Sequence, residues 1–194
     1  MDIEELVPDE IGGVCGILSP IIAYIIIFIS ILIHPDFSWA SKELSYLGAV
    51  DTEYNNIFNV GLIISGILGI VFTLAIIQFA ESTVGYVGIG GYGAGMVSLI
   101  LIGVFPSGTL LHYPVSILFF SLTLVGLAIF GVDQFLDMEY IMSALILSSI
   151  GISVVLFGII LSTDLDLGLA IPEFIGTIPF IQFNIVYGTK LYTE

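Results

Sequence analysis

Long, uninterrupted apolar runs dominate this sequence, and each is near the roughly 20 residues that a helix needs to cross a bilayer. Inside lipid every backbone amide needs a partner within the protein, so only helices and closed barrels can cross. The runs lack the alternation of polar and apolar residues that strands show, which indicates helices. Charged residues make up 10% of the 194 residues, against about 25% in soluble globular domains. We predict an all-α, polytopic membrane bundle of six transmembrane helices.

One domain, residues 1–194, holds all six predicted spans, because no polar stretch is long enough for a separate soluble domain. The spans cover residues 12–33, 57–79, 85–105, 113–131, 140–161 and 170–191. The chain starts with acidic residues, whereas a secretory signal starts with basic ones, so we expect the first span to be retained. Pro179 lies inside the last span and should bend it.

A long polar loop, residues 34–56, separates the first two spans. Its apolar residues recur at helical spacing, and they are Phe37, Ala40, Leu44 and Leu47, beside Trp39. This pattern predicts a short interfacial helix in the first loop, with Trp39 at the depth of the lipid headgroups.

Charge excludes one class of partner. Seventeen acidic residues stand against two basic ones, Lys42 and Lys190, for a net charge of -15. Nucleic acid is excluded because the chain has no basic footprint. Loops this acidic are typical of salt-loving archaea, which we predict as the source. The two lysines fall on opposite sides and do not orient the bundle; we expect a cell-membrane protein with cytoplasmic termini.

Glycines in the third span match the pattern G-x-G-x-x-G between Gly88 and Gly93. A dinucleotide site needs a strand before this pattern and an acid about 20 residues after it, and neither is present. Small residues four apart instead allow close helix packing. Such pairs are Gly91 with Gly95, Gly12 with Gly16, and Gly61 with Ser65. They predict a tight bundle and leave a homo-oligomer through these faces open.

Polar groups gather on one membrane face, because six spans place the first, third and fifth loops on the same side. This face receives His34, Asp36, Glu43, Asn55, Asn59, His112, Asp164, Asp166 and Glu173. Both histidines of the chain are in this group. We therefore predict a polar pocket on one side of the membrane.

Glu173 is the one acid that we place within a predicted span. An ionisable group at that depth usually faces the bundle interior or water and has a function. An equally open interpretation is that it favours the positive end of the last helix or sits at headgroup level. Asn55 and Asn59 could equally be capping residues at the start of the second span. Asn59 lies a turn further in, so we expect it to have an interhelical partner.

A metal site is a further hypothesis for this face, because imidazole and carboxylate suit zinc or iron. His34 and His112 with Glu173 or Asp36 would supply the ligands. No H-x-x-x-H or H-E-x-x-H spacing is present, and histidines at helix ends are more often interfacial. The sequence therefore names no cofactor.

Several motifs resemble domain-of-unknown-function family 998. They are His-Pro-Asp-Phe-Ser at residues 34–38, Leu-Ser-Tyr-Leu-Gly-Ala at residues 44–49, the stretch 56–66, and Gly-Val-Phe-Pro at residues 103–106 followed by His112. The resemblance covers residues 12–187, and Glu173 is similar to an acid that starts the family's last helix. It implies a multi-pass archaeal or bacterial membrane protein without an assigned activity, distantly similar to eukaryotic proteins connected with lipid-anchor remodelling.

These observations favour recognition or modification of a membrane lipid at one leaflet. Catalytic candidates are His34, His112 and Glu173, as acid or base for a headgroup reaction, and pocket candidates are Asp36, Glu43, Asn55 and Asn59. The alternatives are a non-catalytic accessory or scaffold subunit and a small oligomeric transporter or channel. Whether the chain is an enzyme stays open.

Overall fold

The computed structural model describes residues 7–162 and 168–193, and all regular structure within them is helical. The α-helices in chain order are α1 (Asp9–Ile33), α2 (Asn55–Ile76), α3 (Thr83–Val104), α4 (His112–Leu136), α5 (Tyr140–Ser162), α6 (Ala170–Gly176) and α7 (Ile178–Thr193). Short 3-10 helices form in the first loop and directly after α2. The predicted helical bundle is confirmed.

Five of these helices, α1 to α5, are long and apolar enough to cross a membrane, judged over the described residues. The sixth predicted span differs, because it is divided into α6 and α7 at Thr177. Pro179 lacks an amide hydrogen, and inside a continuous helix its ring would clash with the carbonyl of Ile175. Pro179 therefore lies in the first turn of α7, where proline is tolerated, and the predicted bend is a break.

The helices form a closed ring. Helices α1 to α5 pack side by side in chain order, and α6 and α7 close the ring between α5 and α1. An aromatic core lies along α7, where the ring of Phe183 contacts those of Tyr92, Phe72 and Tyr187 at centroid distances of 5.0, 5.8 and 4.9 Å. Such ring contacts add to the burial of area that holds the helices together.

Small residues bring neighbouring helices into close contact. Gly88 and Gly126 face each other between α3 and α4, and Gly12 and Gly16 face Ala75 and Phe72 of α2. In lipid this close approach replaces the missing hydrophobic force between helices. The predicted small-residue faces thus serve packing within the chain, and association between copies stays a prediction.

The first loop lies over one end of the ring. Its 3-10 helix, Leu44–Gly48, is shorter than the sequence pattern suggested, and Leu44 and Leu47 are buried in the bundle. Trp39 is partly buried, and its ring meets that of Phe174 edge to face at 5.4 Å. The loop therefore closes this end of the bundle.

Candidate functional site

A partly open cavity of about 70 Å³ lies between the helices beneath the first loop. A single buried water needs roughly 10–15 Å³ on this measure, so the cavity has room for more. Its lining comes from the first loop and most helices: Ala23, Tyr24, Ile27, Leu44, Ser45, Phe58, Leu62, Leu99, Ile102, Ser116, Phe119, Phe120, Glu173, Thr177 and Phe180. The lining is apolar and aromatic apart from one carboxyl group and a few hydroxyl groups.

Glu173, in the first turn of α6, is the charged residue of this lining. Its Oε2 accepts a hydrogen bond of 2.6 Å from the backbone N–H of Leu44, and the N–H of Ser45 also reaches the carboxyl group. Further backbone bonds join the same two segments, from Gly168 N to Ala40 O at 2.7 Å and from Ala170 N to Lys42 O at 2.9 Å. Glu173 thus lines the cavity and also fastens the first loop to α6.

Glu43 brings a second carboxyl group to this region. Its Oε1 accepts a hydrogen bond of 3.0 Å from the hydroxyl of Ser107 in the third loop. Val50 N donates to Ser107 O at 3.0 Å, so the first and third loops are joined twice. Glu43 is close enough to Glu173 for their charges to repel. The structure therefore places two acids together at the cavity end of the bundle.

Asn55 and Asn59 hold the end of the first loop and do not line the cavity. Asn55 Nδ2 donates to Ala49 O at 2.8 Å, and Asn59 Nδ2 donates to Gly48 O at 2.9 Å. The interhelical partner expected for Asn59 is therefore a loop carbonyl, and Asn55 bonds a carbonyl oxygen instead of capping the amides of α2. Asn59 is buried, so this hydrogen bond satisfies a side-chain amide that water cannot reach.

The two histidines lie outside the cavity lining. His34 is buried, with Nδ1 2.6 Å from Ser30 O, while His112 Nδ1 lies 2.9 Å from Phe105 O. Asp36 is exposed on the loop. Within residues 7–162 and 168–193, no three histidine, cysteine or acidic side chains are grouped to hold a metal ion. Of the predicted face, the structure brings together Glu43 and Glu173 and leaves the histidines bonded to backbone carbonyls.

Two of the predicted polar residues, Asp164 and Asp166, lie outside the described residues.

The opposite end of the bundle holds a buried acid that the sequence analysis did not predict. Asp133, expected in a loop, is fully buried in α4 and accepts a hydrogen bond from the hydroxyl of Ser82, which caps α3. Glu173 is therefore not the one acid within a helix. Phe135 and Leu136 could have indicated this, because they continue the apolar pattern past residue 131, the predicted end of the fourth span.

Polar residues of α7 also escaped the sequence reading. Asn184 Nδ2 donates to the hydroxyl of Tyr92 at 2.7 Å, and the Tyr187 hydroxyl donates to Gln134 Oε1 at 2.8 Å. All four side chains are buried. Asn184 and Tyr187 stand three residues apart, which puts them on one helix face, and this spacing could have predicted their shared burial.

A family model described as "Protein of unknown function (DUF998)" matches residues 17–190, which include every residue that lines the cavity. The match confirms the resemblance that the sequence motifs carry. No match was found among curated proteins or among solved structures.

Proposed function

Because this chain belongs to the DUF998 family, whose description names no activity, we propose a function on the geometry of the cavity. The protein binds a membrane lipid at one leaflet. A hydrocarbon segment of the lipid occupies the cavity, and its polar end lies beside Glu173. The observation that carries this proposal is an apolar cavity with one carboxyl group in its wall.

The lining suits an amphiphile. Small-molecule sites are mostly apolar, with a few placed polar groups that fix orientation. Here Ile27, Leu62 and Leu99 offer aliphatic contacts from three helices, while Glu173 and Ser45 offer polar atoms on the loop side. A lipid satisfies both surfaces at once.

The position of the cavity supports a leaflet-level site. The first and third loops meet above it, joined through Ser107 and Val50. Trp39, which packs on Phe174 next to Glu173, is a residue type that favours the membrane–water interface. The polar end of a lipid bound here would therefore stay at headgroup depth.

A cavity-filling substitution tests the proposal. Ala23 is buried in the lining, and Ala23→Leu would place extra methyl groups in the cavity, while Ala144→Leu adds the same volume on the exposed face of α5. We expect native mass spectrometry in mild detergent to find co-purified lipid on the wild type and on Ala144→Leu, with much less on Ala23→Leu. Equal lipid on all three proteins would reject the cavity as the site.

The proposal covers binding alone. Acid or base chemistry by Glu173, His34 or His112 stays a prediction, since both histidines lie outside the lining. From the acidic composition we also propose a salt-loving archaeon as the source. The protein lies in its cell membrane, with cytoplasmic termini and the long first loop outside. A cysteine placed at exposed Asp51, in a Cys15→Ser background, should then react with a membrane-impermeant thiol reagent from outside the cell.

A further inference from the structure

The cavity end of the bundle holds acidic side chains, and no basic side chain lines the cavity. Glu173 lines the cavity and Glu43 lies near it. The whole chain has two lysine or arginine residues. The ammonium group of Lys42 lies 3.9 Å from the centroid of the Tyr46 ring, and that of Lys190 lies over Phe79 at the far end of the bundle. Neither lysine lines the cavity.

Aromatic rings surround the same space. They are Tyr24, Phe58, Phe119, Phe120 and Phe180. The face of an aromatic ring attracts a cation, and the attraction grows where water is excluded. Aromatic rings and a carboxyl group in one lining therefore favour the same kind of ligand.

Glu173 can accept further hydrogen bonds. A carboxylate has about four lone-pair sites, and backbone N–H groups of Leu44 and Ser45 reach the carboxyl group. The remaining lone-pair sites can accept a hydrogen bond from a donor group on the ligand. An anionic headgroup such as a phosphate would meet Glu173 in the lining, Glu43 near it and no basic side chain in the lining, so it is disfavoured.

We infer that the ligand of this cavity is a long-chain amphiphile whose polar end is a cationic amine. The inference rests on the proposed lipid-binding function and adds the chemical class of the headgroup. The ammonium group pairs with the carboxylate of Glu173, beside Glu43, and the part of the chain next to the amine lies among the aromatic and aliphatic side chains of the lining. The rest of the chain extends out of the cavity, because about 70 Å³ is less than the roughly 150 Å³ of an apolar cavity that holds one benzene. Charge-assisted hydrogen bonds are the stronger ones, so the amine gains most from this site.

The test compares probes of one chain length: dodecylamine, dodecanol and dodecyl phosphate, with butylamine as the short-chain amine. Binding is measured on the full chain in mild non-ionic detergent by native mass spectrometry. We expect dodecylamine to bind the wild type about tenfold more tightly than dodecanol, the difference between a charge-assisted and a neutral hydrogen bond. Dodecyl phosphate and butylamine should bind more weakly than dodecylamine.

Matched variants separate charge from fold. In Glu173→Gln the amide oxygen still accepts from Leu44 N, so the loop stays fastened while the charge is lost, and the preference for the amine over the alcohol should disappear. Glu81→Gln makes the same charge change at an exposed position near the start of α3 and should keep the preference. If Glu173→Gln does not fold, Glu43→Gln, which can still accept from Ser107, should reduce the preference.

Each contrary outcome has its own meaning. Equal binding of dodecylamine and dodecanol to the wild type, or tighter binding of the phosphate, overturns the amine inference and leaves lipid binding intact. Butylamine binding as tightly as dodecylamine overturns the need for a chain. If Ala23→Leu does not weaken probe binding, the cavity is not the binding site, and the proposed function is overturned as well.

Discussion

Ser19 of α1 and Ser65 of α2 exchange hydrogen bonds across the helix interface. The Ser19 hydroxyl donates to Ser65 O at 2.9 Å, and the Ser65 hydroxyl donates to Ser19 O at 2.8 Å. Both side chains are fully buried. Because water cannot compete inside the bundle, this reciprocal pair fixes the register of α1 against α2.

Replacing either serine by alanine should lower the free energy of unfolding by about 0.5–1.5 kcal/mol. The double variant should lose less than the sum, because the two hydroxyl groups act on one interface. Reversible unfolding in mixed detergent micelles measures all three values. Ser148→Ala, at an exposed serine of α5, is the matched control; strictly additive losses would show that the serines do not cooperate.

Two neighbouring glycines of α3 should respond in opposite directions. A Cβ added at Gly88 would lie 2.6 Å from the amide nitrogen of Phe130, while a Cβ at Gly90 would meet nothing within 4 Å. Gly88→Ala should therefore destabilise the bundle by about 1–3 kcal/mol through overpacking. Gly90→Ala should be neutral or stabilise by up to about 1 kcal/mol through helix propensity. Thermal unfolding in detergent compares them, and equal melting temperatures would contradict the α3–α4 contact.

The amide of Asn59 should matter more to the first loop than to the bundle. Asn59→Ala leaves the buried carbonyl of Gly48 without its donor, at a cost of about 1–3 kcal/mol. The rate of amide hydrogen exchange should increase more in residues 44–52 than in α2. Asn56→Ala, at the exposed neighbour, is the control, and unchanged exchange in the loop would mean that other bonds hold it.

Asp133 should stabilise the end of the bundle away from the cavity. Asp133→Ala removes the acceptor of the Ser82 hydroxyl and leaves space beside Gly85. We expect a loss of about 1–3 kcal/mol in unfolding free energy. Lipid binding should be retained, since Asp133 does not line the cavity. Glu139→Ala, exposed nearby, controls for the lost charge; a loss of lipid would place Asp133 in the binding function.

Helix existence was predictable because the membrane requirement is strict. Apolar runs of about 20 residues leave few alternatives, so five spans and the family motifs were read correctly. The end of α4 was not predicted correctly, because an acidic residue suggests a loop unless its hydrogen-bond partner is known. The partner of Asp133 is Ser82, 51 residues away, and no local pattern carries that information.

The site was predictable in part. The shared face of the first and third loops and α6 follows from counting spans, which brought Glu43 and Glu173 into one group. The cavity was not predictable, since it depends on how side chains of several helices leave space between them. Nor were the bonds of His34 and His112 to backbone carbonyls, because only the folded chain shows which carbonyl lies within reach.

The break at Thr177 divides the last predicted span into two helices with different partners. On one side of it, α6 is fastened to the first loop by the backbone bonds of Gly168 and Ala170. On the other side, α7 packs on α1, where Gly13 and Gly188 allow the two backbones to touch. Thr177 itself lines the cavity. The cavity therefore lies where a helix held by the first loop meets a helix held by α1, so its width is set by the angle between the two.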